Sequence, residues 1–160
     1  MASYKVKCKD YCDDYALHDV INYITQIYKT PHRMIGAYGV RPGNAAMQME
    51  FVARAYNKYT GQRLRHSILS FSENDHVTLE QAYIIADAAA RFYKDLYQII
   101  FAIHEDTDNL HVHFVMNQVS YITGYKYRGS KKDYFEFIKY LNNVCGMYGI
   151  KLITVKDNEE

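Results

Sequence analysis

The chain has little of several features that mark particular classes of protein. Its 160 residues include no tryptophan, two prolines and three cysteines. Cys8, Cys12 and Cys145 are odd in number and form no paired metal motif, so we expect free thiols rather than a disulfide framework. No apolar run approaches the roughly 20 residues that span a bilayer. The polar start is unlike a secretory signal, which favours a cytoplasmic protein.

An excess of charge of either sign is also missing. The formal net charge is +1, so no overall positive field points to a nucleic-acid partner. Hydrophobic residues make up 49% and charged residues 23%, which is ordinary for a globular protein. The length suits a single domain over residues 1–160, with a core of its own.

Aromatic rings, in contrast, are abundant. The chain contains 17 tyrosines and 7 phenylalanines, and several of them lie beside local basic clusters in the ranges 29–41, 58–65 and 126–132. Such mixtures bind single-stranded nucleic acid by phosphate contacts and base stacking. They are also found where tyrosines fill a core and the basic clusters are solvated loops. Composition alone leaves both interpretations open.

Three of the seven histidines, His104, His111 and His113, lie within ten positions. Because side chains alternate along a strand, His111, His113 and Asn117 would share one face, with apolar residues on the other. The apolar run 97–103 predicts a preceding strand that ends at His104. If the two strands pair antiparallel with His104 opposite His111, all three imidazoles project from the same face.

This spacing indicates a metal site. Three neutral imidazoles without a nearby thiolate suit manganese or zinc better than calcium, which prefers oxygen ligands. Three protein ligands leave coordination positions open, as in catalytic or substrate-binding sites. Asp106 and Asp108 are candidates to accept a hydrogen bond from an imidazole and fix its tautomer. The alternative is that the histidines are ordinary polar residues at strand ends.

The predicted elements alternate between strands and helices. Besides the histidine hairpin, we predict strands over 4–8, 64–71 and 150–155, helices over 16–28, 44–59, 78–96 and 133–147, a loop or irregular strand over 36–43, and a basic loop over 126–132. Helices that interrupt antiparallel strands predict an α+β fold. We expect a central antiparallel β-sheet with helices packed on one face and the metal site on the open face.

The run from His104 to Asn117 resembles the metal motif of the relaxases, the mobilisation nucleases of plasmids and integrative elements. These belong to the larger His-hydrophobic-His endonuclease group. Asn22-Tyr23-Ile24, followed by Lys29-Thr30, resembles the family's first motif, which holds a nucleophilic tyrosine. Residues 65–71 resemble the second motif, and residues 123–127 resemble the segment after the metal strand. The resemblance spans about residues 16–155.

The resemblance implies site- and strand-specific DNA nicking and rejoining at a transfer origin, through a covalent 5′-phosphotyrosyl intermediate. By its position in the motif, Tyr23 is the expected nucleophile, with Tyr28 and then His18 as alternatives. A tyrosine hydroxyl needs a positioned base or a nearby cation to attack efficiently. The three histidines would hold a divalent ion, with manganese or magnesium expected and zinc as an alternative. This ion would polarise a phosphate oxygen.

The implied partner is single-stranded or hairpin DNA at the origin. Because relaxases usually carry further segments, an accessory DNA-binding protein is a second candidate partner. Asn117 is expected to support the metal shell or to contact DNA. The candidate DNA contacts are His66, Ser70, Lys126, Arg128, Lys131 and Lys132.

Two other functions stay open at this point. A replication initiator or a single-tyrosine transposase would share the metal site, but a tyrosine ahead of the metal motif favours a relaxase. The second alternative is a binding module of the same fold that recognises a DNA hairpin and no longer cuts it.

Overall fold

The fold is organised around one β-sheet. The computed structural model describes residues 1–105 and 109–157, and within these the chain forms a six-stranded sheet and four α-helices. In chain order these are β1 (Ala2–Val6), α1 (Ala16–Ile24), β2 (Ile35–Tyr38), α2 (Ala45–Ala55), β3 (Leu64–Ser70), α3 (Leu79–Arg91), β4 (Ile99–His104), β5 (His111–Asn117), α4 (Lys131–Gly146) and β6 (Leu152–Thr154).

The sheet has the strand order β2-β4-β5-β3-β1-β6. Every neighbouring pair is antiparallel except β1 and β6, which run parallel. The predicted α+β fold is therefore confirmed, with a mixed sheet rather than a wholly antiparallel one. The parallel pair arises because α4 returns the chain along the sheet after β5, so that β6 enters in the same direction as β1 and β5.

One face of the sheet packs against α3 and α4. Its core contains Leu69, Phe101 and Phe114 from the central strands, together with alanines of α3 and Phe137 and Leu141 of α4. The apolar residues at 112, 114 and 116 all lie in this core, as the alternation along β5 predicts.

The opposite face carries the histidines and is partly covered by α1 and α2. The buried side of α1, which includes Leu17 and Ile21, packs against Ile100, Ala102 and Val115 of the sheet. The expectation of helices on a single face thus holds for α3 and α4 only. Apolar residues of β4 and β5 on the histidine side need a cover, because exposed apolar area is unfavourable in water. Cavities open where this face extends toward β3 and β1.

The segment 36–43, expected to be a loop or irregular strand, begins with a regular edge strand, β2. Gly36 pairs with Phe101 across β2 and β4. A Cβ atom at Gly36 would lie 2.2 Å from Phe101 Cζ, so only glycine lets the two strands approach with this ring between them and α3.

The predicted helix signals hold, although three helices end earlier than expected. Thr78 Oγ1 accepts a hydrogen bond from the Gln81 N–H, and Gln81 Oε1 accepts one from the Thr78 N–H, both at 3.1 Å. This confirms the capping box. Helix α1 stops at Ile24, where the following residue, Thr25, donates its hydroxyl to the Ile21 carbonyl at 2.7 Å. Helix α2 stops at Ala55 and α3 at Arg91.

Two expectations from composition can also be compared with the structure. All three cysteines are free thiols, with Cys8 and Cys12 exposed and Cys145 buried. Among the residues that the structure describes, no helix combines the length and the apolar character needed to cross a bilayer.

Candidate metal and active site

Three imidazoles meet at one end of the β4–β5 pair. His104 lies directly opposite His111, and His113 pairs with Ala102. The ring centroids of the three histidines are 4.3 to 5.2 Å apart. One potential ligand atom from each ring lies within 4.8 Å of the other two. The predicted register and the predicted convergence of the three rings are both confirmed.

Backbone carbonyl groups define the tautomers of two of these rings. His104 Nε2 lies 2.7 Å from the Ile24 carbonyl oxygen. Because a carbonyl only accepts, this nitrogen carries the proton and Nδ1 is left as the ligand atom. By the same argument His111 Nδ1 donates to the Asn109 carbonyl at 3.1 Å, which leaves Nε2 for the metal.

The third ring is held by other side chains. His113 Nδ1 lies 2.8 Å from His66 Nε2, and His66 Nδ1 lies 2.8 Å from the Tyr11 hydroxyl. All three side chains are buried. His113 presents Nε2 to a metal only when its Nδ1 donates to His66, so the orientation of this chain of hydrogen bonds decides whether His113 can act as a ligand.

Burial keeps these groups uncharged at neutral pH. Desolvation, assisted by Lys7 and Lys9, lowers the pKa of His66 to about 4. Desolvation and the neighbouring histidines lower the pKa of His113 far below its usual range. Burial also raises the pKa of Tyr11 to about 12, so its hydroxyl stays protonated. Neutral imidazole is the form that binds a metal ion.

The donor set fits a divalent metal ion. It offers one imidazole nitrogen atom from each of the three rings, and the other nitrogen of each ring is hydrogen-bonded to the protein. Both buried rings and the half-buried His111 face the same point. The two aspartates proposed as supporting residues, Asp106 and Asp108, lie outside the described residues.

Tyr23 projects from α1 toward this cluster. Its ring centroid lies 5.9 Å from that of His113 and 6.1 Å from that of His104, with interplanar angles of 83° and 67°. The residue is 44% exposed, so the site is open to a substrate. Lys29 Nζ lies 4.9 Å from the Tyr23 ring centroid. Helix α1 buries Ile21 and Ile24 on either side of Tyr23, which turns this side chain to the edge of the buried stripe.

The two alternative nucleophiles lie elsewhere. Tyr28 is 76% exposed, and its ring contacts the Lys29 ammonium group at 5.5 Å. His18 lies 3.6 Å from Glu50 Oε1, in a separate cavity between α1 and α2. Of the three candidates, Tyr23 is the one whose ring packs against the metal-site imidazoles.

Two further predicted site residues, Ser70 and Asn117, lie in different surroundings. Ser70 pairs with His111 across β3 and β5 and lines a cavity with Tyr23. Asn117 is fully buried and donates to the Met49 carbonyl at 3.1 Å and to Gln98 Oε1 at 2.9 Å. These bonds join β5 to α2 and to the start of β4.

The basic loop lies farther along the sheet. Lys126 donates to the Thr60 carbonyl, and Lys132 is exposed in the first turn of α4. Arg128 and Lys131 line a groove of about 720 Å³ together with the aromatic ring of Tyr127. Cations and rings along one groove are the arrangement expected for single-stranded nucleic acid.

Two basic residues that border the site were not predicted from the sequence, and both follow the end of β1. Lys7 and Lys9 line a cavity of about 970 Å³ together with Tyr23, His66 and His113. Lys5, Lys7 and Lys9 are spaced by two residues, which would place them on one face of a strand, but β1 ends at Val6, before Lys7 and Lys9. Lys7 and Lys9 lie close to the histidines because β1 is separated from β5 only by β3, and the spacing of the lysines does not predict this strand order.

This geometry can be compared with known proteins. A family model, the MobA/VirD2-like nuclease domain of relaxases, matches residues 15–150. The chain belongs to this family. The relaxase domain is also similar to Protein rlx of Staphylococcus aureus, with 28% identity over 97 residues. That match covers 61% of this chain and 29% of the Staphylococcus protein, so the chain spans well under half of its relative.

Membership of the family confirms the resemblance that the motifs indicated. Relaxase nuclease domains nick DNA at a mobilisation origin, act on single strands and use a divalent metal ion. The histidine cluster of this relaxase domain has the donor set that such an ion needs.

Proposed function

We propose that this relaxase domain nicks and rejoins one DNA strand at a plasmid or mobile-element transfer origin, with Tyr23 as the nucleophile. The observation that carries the proposal is the position of the Tyr23 ring against the imidazoles of His104 and His113. A DNA phosphate bound between Tyr23 and the three histidines would meet both the attacking hydroxyl group and the metal ion that the histidines would hold.

The reaction is a transesterification. The Tyr23 hydroxyl oxygen bonds to phosphorus, and the bond from phosphorus to the 3′ oxygen breaks. The tyrosine proton passes to water or a base, and the departing 3′ oxygen takes up a proton. The products are a free 3′-hydroxyl and a 5′-phosphotyrosyl link. Attack by a 3′-hydroxyl on this link reverses both bonds and rejoins the strand.

The residues around Tyr23 have distinct tasks in this scheme. His104 Nδ1, His111 Nε2 and His113 Nε2 would hold the divalent ion, which when bound places positive charge beside a phosphate oxygen. The Lys29 ammonium group lies over the face of the Tyr23 ring, a cation–π contact that helps to hold the ring beside the histidines. His66 is buried, with both ring nitrogens bonded to protein groups, so we now propose it as a positioning residue for His113 rather than a DNA contact.

A labelled single strand that carries a transfer origin, incubated with Mn²⁺, tests the proposal. We expect a covalent protein–DNA adduct that survives denaturing electrophoresis. Tyr23→Phe should abolish the adduct because the attacking oxygen is missing. Tyr28→Phe is the matched control and should retain it, since Tyr28 contacts Lys29 but projects into solvent.

The outcomes separate the alternatives. An adduct that persists in Tyr23→Phe shows that another residue is the nucleophile. Tight binding without an adduct, across a broad set of origin hairpins, favours a binding module that does not cut. Adduct formation on replication or transposon-end sequences but on no transfer origin favours the initiator or transposase alternative.

DNA contacts away from the metal site are part of the same proposal. We assign Arg128 and Lys131 to phosphate binding, because both line the groove beside Tyr127. Ser70 is assigned to the strand near the scissile phosphate, since it lines the cavity beside Tyr23 and His111. An accessory DNA-binding protein is a proposed partner for origin recognition.

A further inference from the structure

A carboxylate and three nitrogen donors meet at the edge of the open face. Asp157 Oδ1 lies 3.3 Å from Lys7 Nζ and 3.6 Å from Lys5 Nζ. The Cys8 N–H donates to Asp157 Oδ2 at 2.9 Å. The Asp157 side chain is only 8% exposed, so it is seated in a site formed by β1 and the residues that follow it.

This site and the histidine cluster share one surface. Lys5 pairs with Ile68, and Ile68 pairs with His113, so the three residues form a row across β1, β3 and β5. Adjacent strands lie about 4.8 Å apart, which places the Cα atoms of Lys5 and His113 about 10 Å apart. The cavity of about 970 Å³ that contains Tyr23 and His113 also contains Lys7 and Asp157.

The donors suit any oxyanion. Two ammonium groups and a backbone N–H form charge-assisted hydrogen bonds with a phosphate as readily as with a carboxylate. The Cys8 N–H bond and the two lysines lower the pKa of Asp157, so the carboxylate is ionised at neutral pH. Both lysines are partly exposed, so their ion pairs with Asp157 are weak, and a polyanion that releases counterions can displace the carboxylate.

The geometry points to an anion subsite in which Lys5, Lys7 and the Cys8 N–H bind a DNA phosphate close to the scissile one, with Asp157 occupying the subsite in the free protein. That the anion is DNA rests on the proposed function. The carboxylate is then an internal competitor. DNA has to displace this carboxylate, so replacement of Asp157 by a neutral residue should make the protein bind DNA more tightly.

The test measures binding separately from chemistry. In a Tyr23→Phe background without metal, the anisotropy of a labelled single-stranded oligonucleotide of random sequence gives the affinity. We expect Asp157→Asn to bind about fivefold more tightly, the scale of one exposed ion pair. Joint replacement of Lys5 and Lys7 by glutamine should weaken binding. It should also reduce the slope of log affinity against log salt by about 0.7, the value for one phosphate contact on a single strand.

Asp95→Asn is the matched control. Asp95 pairs with Lys94 at 3.2 Å before the start of β4, at the end of that strand opposite to His104. The substitution changes the net charge by the same amount as Asp157→Asn does. It should leave the affinity unchanged if the gain depends on the subsite rather than on overall charge.

Each outcome decides the matter. Equal affinities for Asp157→Asn and Asp95→Asn overturn the subsite. If Asp157→Asn fails to fold, the lysine variant decides, and an unchanged salt slope overturns the subsite. In the wild type, the amide resonance of Cys8 should shift when the oligonucleotide is added, and binding without that shift also refutes the idea.

The subsite and the proposed function can fail independently. Tighter binding by Asp157→Asn, in a protein that forms no adduct on any origin, supports the subsite and overturns the nicking proposal. An adduct that forms normally, with no difference between the two asparagine variants, supports nicking and overturns the subsite.

Discussion

Metal affinity should depend on His66, although this residue is not itself placed to bind the ion. His113 Nδ1 lies 2.8 Å from His66 Nε2 in a buried environment. Without an acceptor there, the N–H of a metal-bound His113 is left buried and unsatisfied, at a cost of about 1–3 kcal/mol. This agrees with the 10- to 100-fold loss of affinity that follows removal of a hydrogen-bond partner of a metal ligand, or about 1.4 to 2.7 kcal/mol.

A pair of substitutions isolates this hydrogen bond. In His66→Gln the amide group takes the place of Nε2 and can still accept from His113. In His66→Asn the shorter side chain takes the place of Nδ1, so it keeps the Tyr11 contact and loses His113. We expect Mn²⁺ to bind His66→Asn roughly 10- to 100-fold more weakly than the wild type. His66→Gln should stay within about threefold of the wild type, because it retains the acceptor.

Titration of the metal-free proteins with Mn²⁺, followed by the electron paramagnetic resonance signal of the free ion, gives the affinities without any nicking assay. Circular dichroism checks that both variants fold. Two results would refute the reasoning: wild-type affinity in His66→Asn, or a loss in His66→Gln as large as that in His66→Asn. The first would show that His113 needs no acceptor, and the second that His66 acts through packing.

Three further predictions concern the ligands, the sheet and pH. His111→Ala should abolish Mn²⁺ binding and adduct formation while the thermal unfolding curve changes little, because this half-buried ring has its ligand nitrogen facing the site; retained metal binding would contradict the three-histidine site. Gly36→Ala should destabilise the protein by about 1–3 kcal/mol in urea unfolding, the cost of overpacking, because the new methyl group overlaps Phe101. The metal-free protein should lose stability as the pH falls from 6.5 toward 4, because the folded-state pKa of His66 is lowered and the unfolded chain binds more protons over that range. The slope from His66 reaches at most about 1.4 kcal/mol per pH unit, and it should shrink in His66→Gln; an equal slope in that variant would show that other groups titrate.

Several features of the site follow from local spacing. Alternation along a strand places His111 and His113 on one face, whatever the strand packs against. Helical periodicity places Tyr23 at the margin of the buried side of α1, and the residues 78–81 contain a complete capping box. These features depend on neighbours within a few residues, so a sequence without a structure is enough to predict them.

The remaining features depend on which distant segments become neighbours. The prediction of His66 as a DNA contact came from its motif alone, and the strand order brings its ring between Tyr11 and His113 instead. The same order, with β5 beside β3 and β3 beside β1, places Lys5 in one row with His113.

Asp157 lies beside Lys5 and Cys8 because β6, about 150 residues after β1 in the chain, pairs parallel with β1. No local pattern contains these contacts, because pairing between distant strands is decided by how the whole sheet buries its two apolar faces. The candidate metal ligands and the candidate nucleophile can therefore be predicted from the sequence. The groups that we propose to orient those ligands and to compete with the DNA phosphate are placed by the tertiary structure.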